Sequence, residues 1–522
     1  MRAVAALVAG LVGAQSLAAQ AGSRLWRPDE RVVISDFSHV EAIGVGRDVV
    51  YVVTTEGIGM YDRLFRRWEP PITGLEGFQG EAVFTALVDP LDRSLWMGTM
   101  SGLVHYDPVL RLFERTFVPG GVGELLFDRD DAFRGLYFRG RSRWQFLPRG
   151  MPIPSEVRTL PPASSQIRSG NVDQVLRGVP HVASRAPFLL GTRRLRGYRF
   201  TAAGQAPDND DVYLGTDGVG VFEINIMGNA EPLPFGVLSP NVGSVVVAEG
   251  GVWTATGRGA SRTGFTFVSQ DAQRYQYDEG APATGFSFRA VVDLIEYEDR
   301  LWAATDAGVV AVRPGERAER MAAGVIAQSN GVLALASSAA GVWVGTERGL
   351  YFVADDGEAH RVDARVVTPI LALAASGDSV WVGGTAGLGL TWRDADVLIV
   401  TPDVANEPEL QQPIVALAIR AETLVAATPE RLVWRAPHGE WLVERVLTGE
   451  LGDLTSLAAD GDGVWIGGER GVAFYRFGSR AFQFYNAPGD LPGRVSDLDV
   501  DDRYLWVATD RGLVRFTKGA MR

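Results

Sequence analysis

Charged residues recur at one position of a phrase that this 522-residue sequence repeats many times. In "VWVGTERGLYF", residues 342–352, an apolar run ends in Thr, two charged residues follow, and a glycine then permits a tight hairpin. Such guanidinium and carboxylate groups can hold a polar ligand, because arginine offers forked N–H donors and carboxylates accept hydrogen bonds. The candidate ligand-binding residues are Arg141, Asp217, Arg258, Asp306, Glu347, Arg348, Glu469, Arg470, Asp510 and Arg511. Salt bridges on a solvated rim are the alternative use of these side chains.

Residue types associated with catalysis show no matching arrangement. The five histidines stand in different sequence contexts, and no His-Glu-x-x-His or Gly-x-Ser-x-Gly motif is present. The absence of cysteine excludes disulfides, thiolate metal sites and thiol nucleophiles. The acidic stretches "DNDD" (208–211) and "DGDG" (460–463) offer clustered oxygens, but we interpret them as turns, where Asp and Gly are common. We therefore expect no catalytic residue, metal or cofactor, with a lyase or glycoside hydrolase as a minor alternative.

The repeated phrase indicates the fold that must position the charged residues. It occurs eleven times, with most copies about forty residues apart, as in "LWMGTMSGLVHYD" (95–107), "LWAATDAGVVAV" (301–312) and "VWIGGERGVAFY" (464–475). Short apolar strands with glycine turns at this period are typical of the four-stranded blades of a β-propeller, and the 3.6-residue periodicity of helical repeats is missing. The sequence predicts an all-β protein built from about eleven to twelve four-stranded blades.

A tryptophan marks the second strand of most copies, and a small residue follows two positions later. A strand sandwiched between neighbouring blades is buried on both faces, so the large ring of Trp can pack where the small residue leaves room. We therefore expect a core role, not a ligand cage, for Trp96, Trp253, Trp302, Trp343, Trp381, Trp465 and Trp506.

Eleven or twelve blades exceed the four to eight of a usual propeller, so the sequence favours two rings over one oversized ring. The simplest partition places a first propeller at residues 21–240 and a second, of about seven blades, at residues 241–522. The first includes a partly helical, arginine-rich insertion at residues 151–198. The last blade lacks an outer strand, which the N-terminal "ERVVISDFS" (30–38) can supply.

The phrase "LWMGTMSGLVHYD" (95–107) resembles the two-component regulator propeller repeat, and "LWVATDRGLVRF" (505–516) follows it closely. The resemblance covers residues 50–516 as repeated units. It implies paired periplasmic propellers like those of hybrid sensor kinases in glycan-using bacteria, or of envelope and secretion-system components. The immunoglobulin-like module, membrane helix and kinase of such sensors are not found here, so we expect a sensor of this kind to signal through another protein.

The N-terminus and the overall charge limit location and partners. Residues 1–20 carry Arg2, an apolar run and then small residues, which is the order of a secretory signal peptide; a membrane anchor is the alternative. The formal net charge of -13 argues against nucleic acid and anionic membranes as general partners. We expect a periplasmic or secreted protein without a membrane span after signal cleavage.

The insertion reverses the local charge of this acidic chain. Its candidate partner-docking residues are Arg177, Arg193, Arg194 and Arg196, which can bind an acidic partner or pair with the protein's own acidic surface. Two functional hypotheses follow. The first is an exported binding module for a glycan or other polar ligand at the cell envelope, and the second is a protein-interaction scaffold in envelope assembly or secretion.

Overall fold

The chain folds into consecutive antiparallel sheets with few helices. A computed structural model describes residues 26–140, 143–185, 198–279, 288–313, 319–321, 326, 331–355, 357–420, 423–436, 439–445 and 448–521. Within these residues there are eleven sheets, nine of four strands, one of five and one of three. The predicted all-β propeller class is thus confirmed. We number the sheets as blades 1 to 11 in the order of their innermost strands.

Blades 1 to 4 belong to the N-terminal part of the chain. Their strands are Val40–Val45, Val49–Thr54, Gly57–Asp62 and Arg67–Thr73 in blade 1; Val83–Val88, Leu95–Thr99, Gly102–Asp107 and Leu112–Phe117 in blade 2; Glu124–Asp128, Gly135–Arg139, Trp144–Pro148, Ser155–Glu156 and Gln166–Arg168 in blade 3; and Phe200–Gln205, Val212–Thr216, Val221–Ile224 and Ala230–Leu233 in blade 4. In blade 3, Gln166–Arg168 pairs inside Glu124–Asp128 and becomes the innermost strand.

Blades 5 to 11 follow without a long interruption. Their strands are Val242–Ala248, Gly251–Thr256, Gly264–Ser269 and Tyr275–Glu279 in blade 5; Val291–Tyr297, Arg300–Thr305, Gly308–Val312 and Glu319–Arg320 in blade 6; Val332–Ser338, Gly341–Thr346, Gly349–Ala354 and Ala359–Val362 in blade 7; Ile370–Ser376, Ser379–Gly384 and Gly387–Trp392 in blade 8; Ala416–Arg420, Thr423–Ala427, Leu432–Arg435 and Trp441–Glu444 in blade 9; Leu454–Asp460, Gly463–Gly468, Gly471–Arg476 and Ala481–Asn486 in blade 10; and Val495–Val500, Tyr504–Thr509, Gly512–Thr517 and Arg31–Ile34 in blade 11.

Contacts near the inner edges of the blades divide them into two groups. The innermost strands of blades 5 to 11 touch in chain order, and that of blade 11 returns to that of blade 5. We call these seven blades the large ring. In blades 1 to 4, which we call the small ring, blade 1 contacts both blade 2 and blade 4, and blade 2 contacts blade 3.

Short helices occupy the connections. The α-helices are Val172–Gly178, Pro180–Ala183, Pro402–Ala405, Thr448–Leu451 and Lys518–Met521, and the 3-10 helices are Gly74–Glu76, Ala163–Ser165 and Pro408–Gln411. Val175 and Val182, in the two helices of the insertion, are buried against Ala203, Leu214 and Phe222 of blade 4. The insertion therefore packs on the face of blade 4 that is turned away from blade 1, and its helical character confirms the sequence-based expectation.

The repeated Thr-x-x-Gly phrase forms the hairpin between the second and third strands of a blade. The Thr side chain donates to the carbonyl of the glycine, as from Thr305 to Gly308 at 2.6 Å and from Thr509 to Gly512 at 2.7 Å. Glycine is required there because φ is +112° at Gly308 and +128° at Gly512. We call the ring face with these hairpins the upper face. The lower face carries the hairpins that join strands one to two and three to four.

The blades of the small ring share one orientation, as contacts between their lower-face hairpins indicate. Arg93 of blade 2 pairs with Asp48 of blade 1 at 3.0 Å, and Arg149 of blade 3 pairs with Asp89 of blade 2 at 2.6 Å. Arg63 of blade 1 reaches Asp208 of blade 4 at 2.8 Å. All lower-face hairpins of the small ring therefore emerge on the same side.

The two rings share a junction. The chain passes from blade 11 to blade 1 through residues 35–39 and from blade 4 to blade 5 through residues 234–241, and these segments touch where Val237 N donates to Ser35 O at 3.0 Å. Phe235 stacks between Phe37 and Trp68, with ring centroids 4.5 and 4.0 Å away. Its ring also meets Tyr275 of blade 5 edge-on. The junction therefore has a buried aromatic core of its own.

Candidate ligand-binding surfaces

The charged turn residues predicted from sequence lie on upper-face hairpins, and two of the carboxylates bind their own blades. Asp306 Oδ1 accepts a hydrogen bond from Arg289 N, and Asp510 Oδ1 accepts one from Arg494 N, both at 2.9 Å. In each case the donor precedes the innermost strand of the same blade. These carboxylates thus fix the entry to that strand, and only their remaining oxygens are available for a ligand.

Three further predicted residues interact within the protein. Asp217 lies 2.7 Å from His39 Nδ1 and 3.6 Å from the Arg199 guanidinium. Glu469 pairs with Arg494, and Arg470 Nη1 donates to Gly449 O at 3.5 Å. These contacts are of the kind expected for salt bridges on a rim.

The other predicted turn residues are exposed. Arg258 lies in blade 5, Glu347 and Arg348 lie in blade 7, and Arg511 lies in blade 11. They belong to the same upper face of the large ring as Asp306 and Asp510, whereas Asp217 belongs to the small ring. Arg141 lies outside the described residues. A ligand site on the upper face stays a prediction.

Of the predicted docking residues, the structure describes Arg177. It is exposed on the helix Val172–Gly178, with its guanidinium 3.6 Å from Asp173 one turn earlier. Arg193, Arg194 and Arg196 lie outside the described residues. The arginine cluster therefore also stays a prediction.

Carboxylates in the channel of the large ring were not among the predicted site residues. Asp497, on the innermost strand of blade 11, accepts from Ser244 Oγ at 2.6 Å and Val245 N at 3.0 Å in blade 5. Asp499 accepts from Val247 N at 2.7 Å. In blade 6, Asp293 likewise accepts from Leu335 N of blade 7 at 2.7 Å. These carboxylates tie neighbouring innermost strands together.

The same carboxylates hold their protons more tightly than ordinary aspartates. Desolvation raises the pKa of Asp497 to about 6, against the opposing effect of its hydrogen bonds from Ser244 and Val245. Desolvation, together with the charge of Asp497, raises the pKa of Asp293 to about 7. Desolvation also raises the pKa of Asp499. The channel wall therefore changes its charge between acidic and neutral pH.

A cleft with a volume of about 490 Å³ lies between blades 2 and 3. Its apolar lining includes Trp96, Phe127 and Leu147. His105 stacks on the Trp96 indole with ring centroids 4.2 Å apart and an interplanar angle of 23°. The cleft thus combines an aromatic surface with a polar edge.

Charged side chains surround this cleft and are held in place by partners. The Arg149 guanidinium is fixed by Asp89 at 2.6 Å and Asp92 at 2.9 Å. Arg115 pairs with Glu81, whose pKa is lowered by hydrogen bonds from Ser101 and Arg115 against a desolvation effect of opposite sign. Glu114 is exposed, 3.6 Å from His105 Nδ1. Each guanidinium has five N–H donors, so both arginines keep donors for a ligand.

The aromatic lining corrects one sequence-based expectation. Trp253, Trp302, Trp343, Trp465 and Trp506 are buried between blades, as the core role requires. Trp96 and Trp381 are partly exposed. Trp96 differs because it lines the cleft between blades 2 and 3 and is not fully covered there. A histidine paired opposite a repeat Trp in the next strand is the sequence signal for this site.

The described residues show neither a membrane-spanning helix nor a metal-binding cluster. No helix in the described ranges is long and apolar enough to cross a membrane. Nor do the side chains in those ranges include a group of three or more His, Asp or Glu arranged to hold a metal ion. The predicted signal peptide, residues 1–20, lies outside the described residues.

No protein-family model and no curated protein matches this chain. Among solved structures, it is similar to PorZ, an essential bacterial surface component of the type-IX secretion system of Porphyromonas gingivalis. That match has a TM-score of 0.56 and 12% identity, and it covers 94% of this chain and 87% of the other.

Other similar structures include a sensor and an enzyme. The extracellular domain of the putative hybrid two-component system BT3049 from B. thetaiotaomicron matches with a TM-score of 0.42 and 13% identity, over 92% of this chain and 81% of the other. Virginiamycin B lyase from Staphylococcus aureus matches with a TM-score of 0.43 and 12% identity, over 53% of this chain and 95% of the other. At these identities the likeness concerns the fold alone, and the fold of this chain is a β-propeller.

Proposed function

We propose that this chain is an exported β-propeller that binds a glycan or another polar ligand at the cell envelope, and that the cleft between blades 2 and 3 is its binding site. The observation that carries the proposal is the combination of a partly exposed Trp96 with Arg115 and Arg149 beside one cavity. An exported, envelope-associated role is supported by the similarity to PorZ, a bacterial surface component.

The chemistry of the cleft suits a sugar ring. The C–H face of a sugar is apolar and packs on an indole, while its hydroxyl groups both donate and accept hydrogen bonds. Arg115 and Arg149 supply donors, and Glu114 supplies an exposed acceptor. A cavity of about 490 Å³ falls within the usual range for small-ligand sites.

The test is a thermal-shift screen of the protein against soluble oligosaccharides and polysaccharides. A ligand that binds only the folded state raises the melting temperature. We expect the shift to be lost in Glu114→Gln combined with Arg115→Gln. We expect it to persist in Arg258→Ala combined with Arg348→Ala, which removes exposed cations from the upper face of the large ring.

The opposite pattern would move the site to the upper-face turns, where the sequence analysis first placed it. A screen in which no sugar raises the melting temperature would contradict glycan binding altogether. Because Glu114 and Arg115 are outer-strand residues of blade 2, we expect their replacement to leave the melting temperature of the free protein nearly unchanged.

A protein-interaction scaffold is the second candidate function. It is favoured by the extent of the PorZ match, which runs through both rings and concerns a secretion-system component. A lyase or glycoside hydrolase is a lesser candidate. Co-purification of an envelope protein with the intact chain, but not with a variant in which Arg177, Arg193, Arg194 and Arg196 are replaced by Gln, would favour the scaffold and its arginine-rich insertion.

A further inference from the structure

The lower face of the small ring projects pairs of apolar side chains into solvent. Each hairpin between strands three and four carries such a pair, and every member has an exposed fraction between 60% and 84%. The pairs are Leu64 and Phe65 in blade 1, Val109 and Leu110 in blade 2, Met151 and Ile153 in blade 3, and Ile226 and Met227 in blade 4. Leu91 and Phe133 add exposed apolar groups on hairpins between strands one and two.

The hairpins hold these side chains outward. In blade 1, Asp62 Oδ1 accepts from the backbone N of Leu64 at 2.8 Å and of Phe65 at 3.0 Å. In blade 2, Asp107 Oδ1 accepts from Val109 N and Leu110 N at the same two distances. In both turns, one carboxylate oxygen thus accepts hydrogen bonds from two backbone N–H groups and closes the turn. The hydrogen-bonded turn therefore fixes the two apolar side chains in an exposed position.

The large ring lacks this pattern among its described lower-face hairpins. Blade 5 has Gln270–Gln273, blade 8 has Arg393–Asp396, and blade 10 has a hairpin at Gly478–Arg480, all polar or small. Its exposed apolar residues near such positions, Trp392 and Val397, flank the hairpin of blade 8 on the outer edge of the sheet. The apolar tips are therefore a property of one face of one ring.

Ion pairs lie beneath the apolar tips. Arg66 pairs with Glu223 at 3.0 Å and with Glu231 at 2.8 Å. The pairs Arg93 with Asp48, Arg149 with Asp92, and Arg63 with Asp208 occupy the same face. Both signs of charge thus stand just below the apolar groups. This arrangement is complementary to a zwitterionic lipid headgroup, which presents a phosphate and an amine at one depth.

We propose that the lower face of the small ring docks on a lipid surface, with the hairpin tips inserted at the boundary between headgroups and acyl chains. Separate protruding tips suit a fluid headgroup layer, whereas a protein partner requires one continuous complementary surface. Insertion would depend on apolar contact with the lipid and not on an excess of Lys and Arg side chains, in keeping with the net charge of -13. The surface borders the cleft proposed above and shares Arg149 and Met151 with it, but lipid insertion is argued from the apolar tips and does not depend on glycan binding.

The first test is sedimentation of the full chain with phosphatidylcholine vesicles. We expect the chain to bind, and the quadruple variant Phe65→Ser, Leu110→Ser, Ile153→Ser and Met227→Ser to lose about tenfold or more in partition coefficient. The matched control is Met100→Ser with Phe117→Ser, two equally exposed apolar residues towards the upper face of blade 2, which should bind like the parent. All proteins share residues 1–20, so binding through that apolar segment would persist in the quadruple variant and overturn the proposal.

The second test does not depend on loss of binding. The chain contains no cysteine, so Leu110→Cys and Met100→Cys each give one site for an environment-sensitive dye. We expect vesicles to shift the emission of the dye at position 110 to shorter wavelength and to leave that at position 100 unchanged. Equal responses, no binding of the parent chain, or binding that requires phosphatidylglycerol and disappears in high salt would each contradict insertion of the tips.

Discussion

Asp497 connects the last blade of the large ring to its first blade through a carboxylate that titrates near neutral pH. Its hydrogen bonds to Ser244 and Val245 lie where the ring closes, next to the bond between Asp499 and Val247. Burying a carboxylate there favours its protonated form, because the channel wall offers no arginine or lysine among the contacts of Asp497. The contact that closes the large ring between blades 11 and 5 therefore depends on the protonation of a single residue, Asp497.

Asp497→Asn should reduce the pH dependence of stability. The pKa of Asp497 is raised from 3.8 to about 6 on folding, so its contribution to stability is complete below about pH 4 and is lost as pH rises through about 6. At about 1.4 kcal/mol per pKa unit, the loss is at most about 3 kcal/mol. We expect the parent protein to lose more stability than Asp497→Asn between pH 4.5 and 8, as measured by urea unfolding.

Asp394→Asn is the control for this prediction, since Asp394 is exposed on the lower face of blade 8. It should leave the pH profile of the parent protein in place. An unchanged profile in Asp497→Asn would mean that the carboxylate is ionised throughout this range.

Sequence pattern predicted some of these residues and missed others for a physical reason. The charged residue after Thr in "ATDAG" or "ATDRG" is visible as a turn residue, because Thr and Gly mark the hairpin around Asp306 and Asp510. Asp497 and Asp293 looked like ordinary strand residues. A bulge precedes each of them, between Val495 and Asp497 and between Val291 and Asp293, as it does at the same place in most blades. The residue that follows the bulge is small in the other blades, such as Ala334 and Ala372, and in these two it is a carboxylate that reaches a backbone N–H of the next blade.

At the scale of elements, the outer strand of blade 11 is Arg31–Ile34, which pairs antiparallel with Gly512–Thr517. All four of its residues are buried, and Arg31 extends to Glu76 at 3.0 Å and to Gly489 O at 3.1 Å. A strand of four residues thus links blade 11, the helix Gly74–Glu76 and the connection after blade 10. Its loss would expose a strand edge and an apolar surface together.

Val33→Asp should destabilise the protein by about 3 kcal/mol or more, because it places a carboxylate among Leu505, Val507 and Val514. The measurement is urea unfolding. The matched control is Leu112→Asp, at an exposed position of an outer strand in blade 2, which should change stability by about 0.5 kcal/mol or less. Similar losses for both variants would indicate that the N-terminal strand contributes little to blade 11.

Element organisation was predicted well wherever the repeat is regular. Eleven copies of one phrase correspond to eleven sheets, and most copies carry the Thr and Gly that close one hairpin. Blade 3 was harder to foresee. Its innermost strand, Gln166–Arg168, follows the rest of the blade in the chain and lies inside the predicted insertion, so no repeat spacing points to it.

At the scale of the whole molecule, the junction aromatic Phe235 connects the two rings. It is buried between Phe37 and Trp68, beside Tyr275 of blade 5, and the core cluster around it includes residues of blades 1, 4, 5 and 11. Trp68 N also donates to Gln273 O of blade 5 at 3.2 Å. The rings are therefore expected to unfold together as long as this cluster is intact.

Phe235→Ala should separate the unfolding of the two rings. Loss of a buried Phe costs about 3 to 5 kcal/mol, and here the cost falls on the contacts that couple the rings. Differential scanning calorimetry should change from one transition to two. Phe265→Ala, a buried Phe between blades 5 and 6, should lower the melting temperature without a second transition. One transition in both variants would mean that coupling depends on other contacts.

The position of Arg31–Ile34 also determines the order of events during folding. Thr517 Oγ1 donates to Asp29 O across 488 positions of sequence, so this strand leaves the ribosome long before its partner exists. Until blade 11 is complete, its apolar residues have no native neighbour to pair with and must be kept from pairing elsewhere. Closure of the large ring is thus a late, long-range step whose rate is limited by the search of the two ends for each other. A circular permutant that joins this strand directly to residue 517 would make that step local and speed refolding.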